Sequence, residues 1–496
     1  MSKKSVATVA GAVAAVGIAI GWKASRSDRR HNDDGDSTTR EPLLMDDVDA
    51  ERFVDALSEA ITYRTVIQDD GTYDAGAFDA LGSMLARRYP RVHEELERET
   101  FSGHGMLYTW VGSDPVLDPI VLMAHQDVVP VEDGTEQDWV APPFGGSVVD
   151  GNVYGRGALD CKGPLVAVFE AIEYLLEHDA TPQRSVLVVS GHDEEIGGES
   201  GASVIADELR KRDVTPWFVI DEGGSVTDGV LPAVDAPIAL VGIAEKGFMN
   251  VRLTARGEGG HSSIPPRGTS IARLARAISE LEANPVPARI VALVPMLSAL
   301  SDHLPGVLGT LASKPTAAAS LLSRVFARDE RMDALQRTTM VPTIVSGGVK
   351  ANVVPQSASV VFNIRIIPGD TSSTVVDHIR NVVGQDIEID VLPGFVRSPS
   401  RFSSVDSDAW KTFAGVVGEV FPSAVIAPYV LTGATDSRFF EGTAGDVYRF
   451  SPFVLDIEGI GGLHGTNEFV RVEDAHRAVS FFVRLIAVAA KTGDSP

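Results

Sequence analysis

Cysteine and positive charge are both scarce in this chain. Cys161 is its single cysteine, so no intramolecular disulfide can form. That absence does not fix a compartment. Lys and Arg total 43 against 68 Asp and Glu, a formal net charge of −25. A field of that sign opposes non-specific binding to nucleic acid or to an anionic membrane face. No internal repeat is present. With 496 residues, 44% of them hydrophobic, the chain is globular and long enough for two or three domains.

The N-terminus differs in kind. SVATVAGAVAAVGIAIGW, residues 5–22, carries no charge and lies between Lys3 and Lys4 on one side and Lys23, Arg26, Arg29 and Arg30 on the other. At about 1.5 Å per residue, a helix of that length just spans the hydrocarbon core of a bilayer. A single membrane anchor is the expectation, with a cleaved secretory signal as the competitor, although no small-x-small cleavage site precedes the basic cluster. Basic residues at both ends leave the orientation open. The polar stretch that follows reads as a linker, so residues 1–42 are set apart from the fold.

From Leu43 the pattern is α/β. ERFVDALSEAITY (51–63) has helical spacing, and PLVAVFEAIEYLLEHD (164–179) predicts a strong helix with Pro164 in its first turn. PIVLMAH (119–125), SVLVVSGH (185–192) and PWFVIDE (216–222) are short apolar strands. Such strands alternating with helices predict a mainly parallel sheet covered on both faces. GFMNVRLTARGEG (247–259) and SASVVFNIRIIPG (357–369) instead alternate like half-exposed antiparallel strands, with a helix at SIARLARAISELEA (270–283) between them. The expected architecture is one α/β domain, residues 43–245 plus 395–492, interrupted by an α+β module at 246–394.

The three predicted strands each lead into metal-ligand residue types: His125 and Asp127, then Glu194 and Glu195, then Asp221 and Glu222. In open α/β sheets, sites form outside the carboxyl ends of the strands. Carboxylates gathered there without a countercharge would protonate, and a cation resolves the conflict. Histidine and carboxylate ligands without a thiolate cluster point first to zinc, with manganese or cobalt as substitutes. His125 and Asp127 are two apart, so on an extended chain both face one side and Asp127 can fix the histidine tautomer. A satisfied surface pair is the plain alternative.

GRGALDCKGP (155–164) sets Asp160 in a glycine-flanked turn, where a helix N-cap is the ordinary reading. Cys161 reads as a small buried residue. Of the adjacent Glu194 and Glu195, one carboxylate can hold metal while the other moves a proton. A solvated acidic turn is the alternative. His464 in GLHGTNE and His261 in GEGGHSSIPP are lone loop histidines, and Asn352 and Arg365 lie on NVVP and FNIR. An inward Arg365 could hold a carboxylate bidentately.

Taken in order, MAHQDVVP, GRGALDCKGP, GHDEEIGG, VIDEGG, EKGFMN, GGHSSIPP, NVVP, TDSRFF and HGTNE resemble the di-zinc peptidases that include carboxypeptidase S, aminoacylase and glutamate carboxypeptidase. VIDEGG, EKGFMN and TDSRFF look most like the carboxypeptidase S branch, whose animal relatives make and cleave N-acyl amino acids. The resemblance implies two zinc ions, with His125 and Asp221 on one, Glu195 and His464 on the other, and Asp160 bridging. More distant relatives use a glutamate near Asp221, which leaves Glu222 as the alternative. Glu194 would be the general base and Asp127 the partner of His125. His261 would steady the oxyanion, sometimes from a partner subunit, while Asn352, Arg365 and Arg438 would bind the substrate's carboxyl end. A cis peptide at Asp160–Cys161 and a lid domain that mediates dimers are further expectations. The activity implied is hydrolysis of an amide next to a free-carboxylate amino acid, in N-acyl amino acids or short peptides. A peptide-only dipeptidase or carboxypeptidase and a non-catalytic metal-binding protein are the competing readings.

Overall fold

The apolar runs become the centre of one large sheet. The computed structural model describes residues 45–492, apart from 46, 69 and 232. The uncharged run at 5–22 lies outside the described residues, and among those described no helix is long and apolar enough to cross a membrane. The ten-stranded sheet follows the order Glu97–Phe101, Gly105–Trp110, Val186–Ser190, Ile120–Met123, Phe218–Asp221, Asp446–Arg449, Ile238–Glu245, Val226–Thr227, Val454–Leu455, with Val425–Leu431 paired to Ile238–Glu245 off this path. From Val186–Ser190 to Asp446–Arg449 the pairing is parallel. At the first edge, Gly105–Trp110 pairs antiparallel with both its neighbours.

Alternation along a strand explains why these runs are wholly apolar. Ile120 and Leu122 pack into one core cluster, while Val121 and Met123 pack into another. Each face must therefore be covered. Helices Ala50–Thr62, Lys162–Glu177, Asp408–Val420 and Ala475–Ala489 cover the first through Phe53, Leu165, Phe413 and Phe481. Ala202–Lys211 covers the second through Ile205 and Leu209. Lys162–Glu177 is buried over all but its last residue, and even Lys162 donates inward, to the carbonyls of Ala60 at 3.0 Å and Tyr63 at 2.5 Å.

A second, antiparallel sheet has the order Thr339–Gly347, Ser357–Ile366, Gly247–Arg256, Ile387–Arg397. Met249, Val251 and Leu253 on one face and Leu274 of helix Ser270–Ala283 share a separate core with Phe362 and Ile379. The helical stretch within 290–336 does not join that core. Leu293, Met296, Leu300 and Phe326 pack into the larger cluster instead. Part of the intervening segment thus returns to the main body.

A buried ion pair fixes the sheet's end beneath the site. Arg449, fully buried, donates Nε to Glu245 Oε1 at 2.7 Å. The same oxygen accepts from Thr435 N at 3.1 Å and Thr435 Oγ1 at 2.7 Å. Thr435 opens the turn Asp436–Phe440, and Ser437 N in that turn donates to Asp221 Oδ2 at 2.7 Å.

Candidate metal centre

The parallel strands deliver their carboxyl ends to one place. His125 lies two residues past Ile120–Met123, and Asp221 ends Phe218–Asp221. Glu194 and Glu195 do not sit at a strand end as the apolar run alone suggests. They occupy a 3₁₀ turn, Glu194–Ile196, four residues beyond Val186–Ser190. Gly197 closes that turn at φ 116°, a left-handed conformation that favours glycine.

Asp160 is the hub. Its Oδ1 lies 2.9 Å from His125 Nε2, and its Oδ2 lies 3.0 Å from His464 Nε2. Glu195 Oε2 is 3.4 Å from the same His464 nitrogen. The Asp160–Cys161 peptide is cis. Cys161 is fully buried, and its sulfur belongs to a group of potential ligand atoms with His125 and Asp160.

Asp127 organises the other side of His125. His125 Nδ1 is 3.3 Å from Asp127 Oδ1 and 3.0 Å from the Asp127 carbonyl. The Asp127 carboxylate also accepts from Glu194 N at 3.2 Å and Glu195 N at 3.0 Å. One buried carboxylate therefore sets both the histidine and the turn that carries the two glutamates.

These residues fit a divalent cation. With His125 donating from Nδ1 to Asp127, its Nε2 and the Asp160 oxygen 2.9 Å away need a positive charge between them, a proton or a cation. Glu195 Oε1 is buried with no hydrogen-bond partner, which is costly unless a cation meets it. Spacings of about 3 Å between ligand atoms also suit donors each about 2.0–2.2 Å from one ion. The two groups of potential ligand atoms, His125–Asp160–Cys161 and Asp160–Glu195–His464, share Asp160 alone.

Asp221 and Glu222 have different surroundings. Asp221 Oδ1 accepts from Glu222 N at 2.9 Å and Oδ2 from Ser437 N, so both oxygens are engaged by backbone. Glu222 instead lines the cavity shared by Asp160, Glu194, Glu195 and His464. Burial, with Asp160 and Asp221 adding to it, pushes the Glu222 carboxyl well above its ordinary range. Burial does the same for Glu194, with Asp436, Glu195 and Glu222 reinforcing it.

Guanidinium groups stand beside the turn. Arg438 donates Nη1 to the Thr435 carbonyl at 2.8 Å and Nη2 to the Gly197 carbonyl. Its Nε is buried with no partner. Arg397 reaches the Gly197 carbonyl at 3.5 Å and Glu199 at 3.7 Å. Arg365 and Arg397 flank Phe248 across neighbouring strands, with Arg365 4.9 Å from that ring's centre. Burial and then the like charge of Arg397 hold the Arg365 pKa down. His261 and Asn352 lie elsewhere: His261 Nδ1 is 2.8 Å from Ser263 Oγ, and Ser262 N donates to the Asn352 carbonyl at 3.2 Å. The structure brings these two loops to each other rather than to the carboxylates.

The sequence reading missed Arg397 and Glu468. Glu468 is fully buried and accepts from four donors: Leu159 N at 2.8 Å, Asp160 N at 3.1 Å, Gly157 N at 3.0 Å and Arg156 Nη1 at 2.7 Å. It holds the loop that presents Asp160. Its signal was the glutamate closing HGTNE. Arg397 ends an irregular strand with a bulge, and no periodicity announced it.

With this geometry in place, comparisons with known proteins agree on one family. A family model described as Peptidase family M20/M25/M40 matches residues 121–488. The chain is 35% identical over 454 residues to the N-fatty-acyl-amino acid synthase/hydrolase PM20D1 of Xenopus tropicalis, covering 90% of this chain and 88% of that one. It is 33% identical to the probable carboxypeptidase S-like 2 of Dictyostelium discoideum, covering 87% of this chain and 83% of that one. Among solved structures, the metallo-carboxypeptidase Sso-CP2 of Sulfolobus solfataricus has the same fold at a TM-score of 0.63 and 19% identity, over 90% of this chain and 100% of that one.

Proposed function

The chain belongs to peptidase family M20/M25/M40 and is a metal-dependent amide hydrolase; from that premise we propose that it cleaves the amide bond of N-acyl amino acids or short peptides, beside a free carboxylate. The observation that carries this reading is the adjacency of the His–carboxylate hub to an excess of guanidinium. Arg397 and Arg438 both reach the Gly197 carbonyl at the turn of Glu194, Arg365 stands near Arg397, and the buried Arg438 Nε still lacks a partner. An anionic substrate end supplies what that cluster needs.

We assign one zinc ion to His125, Asp160 and Glu222, and a second to Asp160, Glu195 and His464. Glu222 is preferred to Asp221 because it faces the cavity while both Asp221 oxygens take backbone N–H groups. When bound, such ions supply a Lewis acid for the amide carbonyl and make water more acidic. Asp127 orients His125 and the glutamate turn. A Glu194 carboxylate oxygen takes a proton from water and hands it to the departing amide nitrogen. Attachment to a membrane through residues 5–22 and pairing of two copies through the four-stranded sheet complete the proposal.

Two results test it. Arg365→Met is expected to raise KM for an N-acyl amino acid at least tenfold with little change in kcat. A substrate whose carboxylate is replaced by carboxamide should suffer a similar loss and be indifferent to Arg365→Met. Equal effects of the substitution on both substrates would remove Arg365 from carboxylate binding. Metal removal should also lower the calorimetric unfolding midpoint, because Glu195 and its neighbours lose their countercharge. Restoring zinc to about 1,000 times its Kd should add about 4 kcal/mol. A midpoint indifferent to chelator and to zinc would argue against a metal at this hub.

A further inference from the structure

The hub opens into a cavity of about 310 Å³ whose wall is more apolar than polar. Asp160, Glu194, Glu195, Glu222 and His464 form its charged end, and no other charged side chain lines it. Leu240, Leu431, Phe453, Leu455 and Ile460, all of them buried, supply much of its apolar wall. None of Arg365, Arg397 and Arg438 lines it, nor does any residue of the second sheet. The guanidinium groups and this cavity are therefore separate features around the hub.

Three of the five hydroxyl groups in the wall are already committed, leaving those of Ser225 and Ser451. Tyr429 donates to the Gly223 carbonyl, Thr227 to the Ile238 carbonyl at 3.3 Å, and Thr435 to Glu245. A peptide backbone entering here would exchange water for few free partners, which is unfavourable. A hydrocarbon chain loses nothing of that kind and gains by leaving water. Resting on the amide-hydrolase reading above, we propose that Leu240, Phe453, Leu455 and Ile460 bind the alkyl chain of the substrate's acyl group and set the longest chain accepted. Leu455 and Ile460 belong to strand Val454–Leu455 and helix Ile457–Gly462, immediately before His464. The segment that gauges the chain thus also carries a residue of the hub.

The test uses the full chain loaded with zinc and a matched series of N-acetyl-, N-octanoyl- and N-palmitoyl-phenylalanine, with an alanyl-alanyl-phenylalanine tripeptide alongside. Each buried methylene should raise kcat/KM by about two- to fourfold, so octanoyl should exceed acetyl by at least about fiftyfold. Leu455→Trp narrows the cavity and should cut the octanoyl-to-acetyl ratio at least tenfold. Ile460→Ala widens it and should raise the palmitoyl-to-octanoyl ratio. Thermal unfolding verifies that each variant is folded, and Ile460→Ala decides the matter if the bulkier change prevents folding. Cleavage of all chain lengths at equal rates, tripeptide preferred over octanoyl, or ratios unmoved in the folded variants would overturn the alkyl site and leave the hydrolase reading standing. Failure to cleave any of these amides would overturn both.

Discussion

Glu194→Gln is expected to reduce kcat by about a thousandfold or more, the scale of a lost proton-transfer group, while metal content stays unchanged. The expectation comes from what Glu194 does not touch. The contacts among His125, Asp160, Glu195 and His464 close without it, and its backbone N–H, which any residue would keep, supplies its bond to Asp127. Glutamine matches its shape and removes only the capacity to accept and return a proton. Burial, reinforced by the neighbouring carboxylates, lifts its pKa. Metal analysis and kcat on the same preparation separate the alternatives. Loss of one metal equivalent together with activity would make Glu194 a ligand, and retained activity would make it a bystander.

Much of this centre is legible in the sequence because parallel strands enforce it. Three apolar runs buried on both faces must lie in one sheet, and their carboxyl ends then share an edge. His125 follows from that rule, and the Glu194–Glu195 pair follows it only in part, since a turn four residues past the strand carries it. Asp160 and His464 do not, since each sits in a loop whose path is set by tertiary contacts. Glycine-rich surroundings and family resemblance, rather than periodicity, singled them out. The strands Ile238–Glu245, Val425–Leu431 and Asp446–Arg449 were harder to see. Arg449 and Glu245 end two of them with charges that look solvent-exposed and are in fact paired in the interior. Similarly, the stretch 290–336 gave no hint that its leucines would return to the main core. Periodicity says that a face is buried, not against which partner. The hydrogen bond that Asp221 accepts comes from Ser437, some two hundred residues away in sequence, and no local pattern encodes it.

Glu468→Ala should be the most damaging single change to the scaffold, costing about 3–5 kcal/mol in urea unfolding of the metal-free protein. The substitution leaves Arg156 buried with its charge uncompensated and frees the N–H groups of Gly157, Leu159 and Asp160 at once. Gly157 has no room to readjust with a side chain, since a Cβ there would lie 2.6 Å from Val128 Cγ1. Metal affinity should fall as well, because Asp160 is the residue the two ligand groups share. A second variant separates the two roles. Glu468→Ala combined with Arg156→Met removes the stranded charge and should recover a large part of the stability. It should not recover metal affinity, because nothing then holds the backbone N–H groups of Leu159 and Asp160. If the double variant regains both, Glu468 serves the scaffold through Arg156 alone. If it regains stability only, the carboxylate that closes HGTNE is a positioning residue for the hub, acting on Asp160 through its main chain.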